Sequence, residues 1–348
     1  MSDIKVLVVD DSALIRQLLT TILQSDPAIT VVGAAQDAHR AREMIKKHNP
    51  DVITLDVEMP KMNGIDFLKK IMSLRPMPVV MVSSLTQSGA DITFEALEIG
   101  AIDFVSKPQH DLQHGMQNLS QEIITKVKTA ATAKISPFEG HLNPQPILAP
   151  VKDENCGHKK LVVIGASTGG VEALRMVLQP LPKEMPPIFV VQHMPKQFTG
   201  TFAKRLNSLC RLNVIEAEDG MVAEKGHVYI APGDKHLLVK EVNSHLTCRL
   251  QDGQEVGGHI PSVGVLFDSA ATVCAKDCVG VMLSGMGKDG ADAMLRLKEG
   301  GAYNLGQNEK TCVVYGMPKV AFERGAVDLE LDVSKIAPTL MKLCCGVT

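Results

Sequence analysis

The sequence predicts an α/β protein in two domains. The first is a five-stranded parallel (βα)5 unit. After a linker comes a doubly wound parallel α/β unit with an embedded β-hairpin. Three observations predict this. Short β-branched runs alternate with helix-period stretches through the first third of the chain, and such alternation builds a parallel sheet with helices on both faces. The alternation then stops in a proline-bearing stretch, Ser136–Lys160, with Pro137, Pro144, Pro146 and Pro150. It restarts at Leu161. A chain of 348 residues also exceeds the roughly 150 residues of one ordinary domain.

In the first half the strand runs are Lys5–Val9, Ile29–Ala34, Val52–Leu55, Val79–Val82 and Asp103–Val105. Leu14–Leu23, Arg40–His48, Phe67–Leu74 and Phe94–Ile99 carry the helical period between them, and a last helix is expected over Leu112–Ala131. In the second half, Leu161–Ile164, Ile188–Val191 and Val279–Leu283 read as buried strands, and Val171–Leu178 as a helix. Val228–Ala231 and His236–Val239 flank Pro232-Gly233-Asp234, which reads as the turn of the hairpin. The expected divisions are 1–132, a linker over 133–158, and 159–348.

Composition excludes several classes of function. The net charge of −3 gives no basic field for nucleic-acid backbones. No Trp and only three Tyr leave few stacking platforms for single strands. No run approaches ~18 apolar residues, so membrane insertion is not expected. Met-Ser-Asp-Ile-Lys runs straight into a strand pattern rather than a signal peptide. The eight cysteines form no C-x-x-C pair, which suggests reduced thiols in a cytoplasmic protein.

Chemistry in the first half collects at strand ends. Asp10 and Asp11 follow the first strand, and Asp56 ends the third. Ser83 ends the fourth, and Lys107-Pro108 follows the fifth. The carboxyl ends of parallel strands share one crevice. Three carboxylates meeting there repel unless a cation joins them, and oxygen ligands suit Mg²⁺. A carboxylate beside Mg²⁺ and a lysine is a good phosphoryl acceptor. On these residues, with Met59-Pro60 after Asp56, residues 4–108 resemble the receiver domain of two-component response regulators. The resemblance implies Asp56 as phosphoacceptor. It implies Mg²⁺ held by Asp10 or Asp11, Asp56 and the Glu58 carbonyl, with Ser83 and Lys107 on the phosphoryl group. Phe104 matches the family's aromatic switch position or simply packs in the core.

In the second half, Gly165-Ala166-Ser167-Thr168-Gly169-Gly170 joins a strand to a helix. A dinucleotide fingerprint would want Gly at 167 and an acid after the next strand, where Gln192-His193 stands instead. The nucleophile-elbow reading of G-x-S-x-G fits better, presenting Ser167 on a tight turn. A serine nucleophile needs a base and an orienting acid. His193 follows one strand and Asp289 follows another, both converging on the crevice of Ser167. The Gly285–Gly287 turn could supply an oxyanion N–H from Met286, and Thr168 a hydroxyl. His227, His236, His245 and His259 read as polar surface.

Residues 159–345 closely resemble the catalytic domain of the chemotaxis protein-glutamate methylesterases. The matching segments are 165–170, Gln-His-Met-Pro at 192–195, Ala-Pro-Gly-Asp-Lys-His at 231–236, Gly-Met-Gly-Lys-Asp-Gly-Ala at 285–291 and Gly-Met-Pro at 316–318. The resemblance implies Ser167 as nucleophile, His193 as general base, Asp289 as orienter, and Thr168 and Met286 around the reacting centre. It implies γ-glutamyl methyl esters on chemoreceptors as substrate, glutamine deamidation as a second activity, and a chemotaxis histidine kinase as phosphodonor. No cofactor is expected for the ester chemistry. The family usually has Asp where this chain has Gly264, a departure expected to change only a local contact near the cleft.

Overall fold

The computed structural model describes residues 3–59, 62–83, 86–107, 116–135 and 159–345. They fall into two compact units, Met1–His141 and Leu142–Thr348. Apart from Ala133, Lys134 and Ile135, the expected linker lies outside the described residues, as do Pro60, Pro108, Cys156 and the start of the helix expected from Leu112.

In the first unit the strands are β1 (Ile4–Val9), β2 (Ile29–Ala35), β3 (Val52–Asp56), β4 (Val79–Ser83) and β5 (Asp103–Ser106). They pair in the order β2-β1-β3-β4-β5, all parallel. The helices are α1 (Ala13–Gln24), α2 (Ala38–His48), α3 (Gly64–Leu74), α4 (Gln87–Ile99) and α5 (Met116–Thr132). Sequence fixes the starts of the first four. Ser12, Asp37, Asn63 and Thr86 are extended N-cap residues, and each side chain accepts a hydrogen bond from the backbone N–H three residues on. The β3 and β4 side chains are all buried, because helices cover both faces of the sheet. Phe104 is buried in this core, with the Lys126 ammonium 5.0 Å from its ring centroid.

The second unit is built on β6 (Leu161–Ala166), α6 (Gly170–Leu178), β7 (Ile188–Gln192), α7 (Lys196–Leu209), β8 (Asn213–Glu216) and β9 (His227–Ile230). The hairpin strands β10 (His236–Val242) and β11 (His245–Gln251) follow, then α8 (Val263–Cys274), β12 (Cys278–Met282) and α9 (Ala291–Glu299). β13 (Tyr303–Gln307), α10 (Met317–Glu323), β14 (Leu329–Leu331) and α11 (Val333–Cys345) complete it. The seven-stranded sheet runs β14-β13-β12-β6-β7-β9-β8 and is parallel throughout. From β6 the chain winds outward through β7, and from β12 it winds the other way through β13. The winding reverses between β6 and β12, the place where open α/β sheets form their crevice.

The hairpin exists, but not where the sequence placed it. β9 lies in the main sheet beside β7 and β8. The hairpin is β10 with β11, paired from His236↔Gln251 to Val242↔His245. Its turn is Asn243-Ser244, with φ of 50° and 61°. Both values suit a type I′ turn, but Asn-Ser lacks the glycine that flags such turns in a sequence. Gly233 serves a close approach instead, since a Cβ there would lie 2.3 Å from Lys196 N and 2.4 Å from Met194 O. Glycine thus lets this crossing loop press against the chain after β7.

Candidate functional site

Two clusters form at strand ends, one in each unit. In the first, the ligand oxygens of Asp10, Asp11 and Asp56 lie within 4.8 Å of one another. Asp10 and Asp56 are fully buried. The Lys107 ammonium stands 2.8 Å from Asp56 Oδ2 and 3.4 Å from Asp10 Oδ2. The Glu58 N–H donates to Asp56 Oδ1 at 3.1 Å, holding that main chain beside the carboxylate. Burial pushes Asp56 up to about 6 against the pull of Lys107, with Asp10 adding repulsion. Burial likewise raises Asp10 above the ordinary carboxylate range. Lys107 is held above its usual value: burial works against its charge, but Asp56 and Asp10 outweigh it. One ammonium against three carboxylates leaves negative charge uncompensated, and this oxygen-only donor set fits a hard divalent cation such as Mg²⁺. The Ser83 hydroxyl donates to the Gly89 carbonyl at 3.2 Å and accepts from Thr93 Oγ1 at 2.8 Å. The Ser83 carbonyl accepts from Lys107 N at 2.7 Å.

A consequence for stability follows. The folded state binds the Asp56 proton more tightly than the unfolded chain does. The stability contribution of this group is therefore greatest below its unfolded pKa and falls as pH rises toward about 6. At pH 7 without divalent cation, Asp56→Asn is expected to stabilise the first unit by about 1–3 kcal/mol, with the lost Lys107 pairing offsetting part of the gain. Its thermal transition should rise by several degrees. Millimolar Mg²⁺ should stabilise the wild-type unit and leave the variant largely unmoved. An unchanged or lowered midpoint in metal-free buffer would show that the buried charge is already neutralised.

In the second unit the ends of β12, β6 and β7, neighbours in the sheet, carry the other cluster. Ser167 begins the turn after β6. Its N–H donates to the Ser284 carbonyl at 3.0 Å, and its carbonyl accepts from Gly170 N at 2.7 Å. Gly169 sits in the left-handed region at φ 76°, where a Cβ would fall 2.5 Å from Val313 Cβ. The tight turn is thus closed by glycine, as an elbow requires. His193 N donates to the Ala166 carbonyl at 3.1 Å, seating the histidine beside the same turn. Its Nε2 lies 2.9 Å from Asp289 Oδ2. Its Nδ1 is buried and has no hydrogen-bond partner. With Nε2–H given to Asp289, Nδ1 carries the bare lone pair of the neutral ring.

Asp289 is 8% exposed and accepts from four donors. Oδ2 takes His193 Nε2 and Val263 N, the latter at 2.7 Å. Oδ1 takes Ser262 Oγ at 2.8 Å and Gly264 N at 3.2 Å. Burial pushes this carboxyl up, but the hydrogen bond and charge of His193, with Ser262 and Val263, together hold it below the usual range. Met286 lies in the loop after β12 and is 38% exposed. That loop touches the serine: a Cβ on Gly285 would come within 2.9 Å of Ser167 Cβ. Thr168 is buried, and its carbonyl accepts from Ser284 Oγ at 2.9 Å.

Several residues here escaped the sequence reading. His236 was expected on the surface but is 2% exposed. Its Nε2 donates to the Gln254 carbonyl at 3.0 Å, and its Nδ1 accepts from Ser262 N at 3.1 Å. His259, also expected to be surface, stacks on His193. Gln192 Nε2 bridges the carbonyls of Ser167, at 3.0 Å, and His193, at 3.2 Å. The Gly264 N–H donates to Asp289, and a Cβ at this position would lie 3.2 Å from Asp289 Oδ1, so the departure falls beside the acid. The only advance signal of these roles was sequence proximity: His236 closes the Ala-Pro-Gly-Asp-Lys-His segment, and Gln192 adjoins His193.

Comparison with known proteins finds relatives of both units. The family model for the CheB methylesterase matches residues 162–340, and that for the response regulator receiver domain matches residues 6–119. A protein-glutamate methylesterase/protein-glutamine glutaminase of Salmonella typhi is 50% identical over 348 residues, covering 99% of each chain. Its counterpart in Pectobacterium atrosepticum is 51% identical over 341 residues, covering 98% of this chain and 97% of that one. The crystal structure of the Thermotoga maritima CheB methylesterase catalytic domain matches 53% of this chain and 98% of its own, at 43% identity and a TM-score of 0.52. The chain, in which a receiver unit with its acidic pocket is followed by a parallel sheet carrying Ser167, His193 and Asp289 at neighbouring strand ends, therefore belongs to the CheB methylesterase family.

Proposed function

We propose that this chain hydrolyses γ-glutamyl methyl esters on chemoreceptors, and deamidates receptor glutamines, through Ser167, His193 and Asp289, under control of phosphorylation at Asp56. One observation carries the reading: His193 gives Nε2 to Asp289 and keeps a buried, bare Nδ1, while its backbone N–H is tied to the Ala166 carbonyl next to Ser167. Nδ1 takes the Ser167 proton as the oxygen attacks the ester carbonyl. The imidazolium is stabilised by Asp289, whose four donors hold it in place. The backbone N–H of Met286, in the loop whose Gly285 approaches Ser167, would receive the developing oxyanion, and Thr168 follows the nucleophile in the chain. His193 returns the proton to the leaving methoxide, and methanol departs. Water, deprotonated by the same nitrogen, then frees the acyl group as glutamate. With a glutamine the leaving group is ammonia and the sequence is the same.

In the receiver unit, Asp10, Asp11, Asp56 and the Glu58 carbonyl would hold Mg²⁺, which neutralises charge on the transferred phosphoryl group. Asp56 accepts the phosphoryl group from a chemotaxis histidine kinase. Lys107 pairs with it, and Ser83 turns its hydroxyl toward it. No helix among the described residues is long and apolar enough to cross a membrane, and a substrate on cytoplasmic receptor helices places the enzyme in the cytoplasm.

The direct test is methanol release from methylated receptor membranes, with and without a small-molecule phosphodonor. The wild-type rate should rise several-fold with phosphodonor. Asp56→Ala should keep its basal rate and lose the response. A variant that still responds would move the phosphoacceptor away from Asp56.

A further inference from the structure

We infer that His259 is a positioning residue for the general base, its ring lying on the face of His193 and holding that imidazole in its working plane. The inference rests on the Ser167–His193–Asp289 reading above and concerns how the base is kept in place. The two ring centroids are 3.7 Å apart and the planes differ by 12°, which is close face-to-face contact. A ring anchored by one hydrogen bond, Nε2 to Asp289, can still tilt about that bond. A flat partner pressed on one face removes that freedom.

The local chain is shaped to deliver this contact. Val256-Gly257-Gly258-His259 closes on itself: Val256 N donates to the His259 carbonyl at 3.0 Å, and His259 N to the Val256 carbonyl at 3.2 Å. Gly257 and Gly258 have φ of 65° and 83°. These are the two left-handed central residues of a type I′ turn. A Cβ on Gly257 would lie 3.5 Å from Asp289 Oδ1, so the turn packs on the acid as well as on the base. Three residues on, Ser262 donates to the same Asp289. One short segment, 257–264, therefore braces the acid with hydrogen bonds and the base with a ring.

The chemistry of the partner ring suits this role. Burial and the neighbouring His193 push His259 down to about 4, with Asp289 pulling the other way. It is thus uncharged near neutral pH and does not repel the imidazolium that forms on His193. Its hydrogen-bonding atoms are not needed for bracing, so a carbocyclic ring of similar size should replace it.

The test is methanol release by the full chain with methylated receptor membranes, comparing His259→Ala, His259→Phe and His193→Ala. His259→Ala should lower kcat about 10- to 100-fold with KM within about twofold, the scale expected when a reacting group is misplaced by an ångström or so. His259→Phe should recover kcat to within about threefold of wild type. His259→Ala at the wild-type rate would overturn the inference. So would His259→Phe as slow as His259→Ala in a folded protein, since the imidazole nitrogens and not the ring face would then matter. His193→Ala separates the two levels: if it is inactive while His259→Ala is fully active, only the bracing role falls. If His193→Ala keeps its rate, the triad itself is wrong.

Discussion

Ser167→Ala is expected to lower methanol release by at least about 10³-fold, while phosphorylation of Asp56 proceeds as in wild type. Loss of a nucleophile leaves only the oxyanion and binding contributions, and members of such a unit are strongly non-additive, so little is left to His193 and Asp289 alone. The substitution should be structurally quiet. The Ser167 backbone makes the bonds that hold the turn, to Ser284, Gly170 and Gln192. Removing one hydroxyl from a half-buried position leaves those bonds intact. A melting curve within a degree of wild type, with activity lost, would separate chemistry from folding. Retention of more than about a tenth of the rate would exclude Ser167 as the nucleophile.

The parts of this site that were legible in the sequence share one property: each sits at the end of a strand with a strong β-branched signature. Leu161–Ile164, Ile188–Val191 and Val279–Leu283 announce buried strands, and parallel topology brings their carboxyl ends together. Ser167, His193 and Asp289 could therefore be grouped without knowledge of the strand order. Asp10, Asp56 and Lys107 follow the same logic in the other unit. The residues that were missed lie at the ends of elements or in the turns between them. His236 enters at the start of the hairpin, and that hairpin was misassigned because Asn243-Ser244 turns without glycine. His259 is delivered by a turn of two glycines that carries no period to extrapolate. Gly264 donates through its backbone, which no side-chain reading can detect. Periodicity locates the middles of strands and helices, and the bracing of this site comes from their ends and from the turns between them.

Asp289→Asn is expected to lower kcat on the order of 10⁴-fold, by analogy with the acid of other triads, and here to cost stability as well. A carboxylate accepts on both oxygens, and Asp289 uses both, twice each. An amide offers one acceptor oxygen and one NH₂ with two donor hydrogens, so its NH₂ must face two donors whichever way it turns. Turned toward His193 and Val263, it forces the imidazole to bare Nε2 and place its proton on Nδ1, which can no longer take the Ser167 proton. Turned the other way, it confronts the Gly264 N–H, which cannot rotate, and Ser262, which can. Neither arrangement satisfies the site. The charge matters too. Although burial opposes ionisation, His193, Ser262 and the Val263 N–H hold Asp289 below the usual carboxylate range, so it stabilises the fold above its unfolded pKa of about 3.8. That contribution is lost as pH falls through the folded value, and at pH 7 it is fully present. The variant should therefore melt lower at pH 7, by roughly 1–3 kcal/mol of stability, and the gap from wild type should narrow as the pH is lowered below about 4. Methanol release and pH-dependent melting on the same protein check the two halves. A lower melting point with an unchanged rate would make Asp289 only a clasp between the start of α8 and the loop after β12, with His193 oriented by something else.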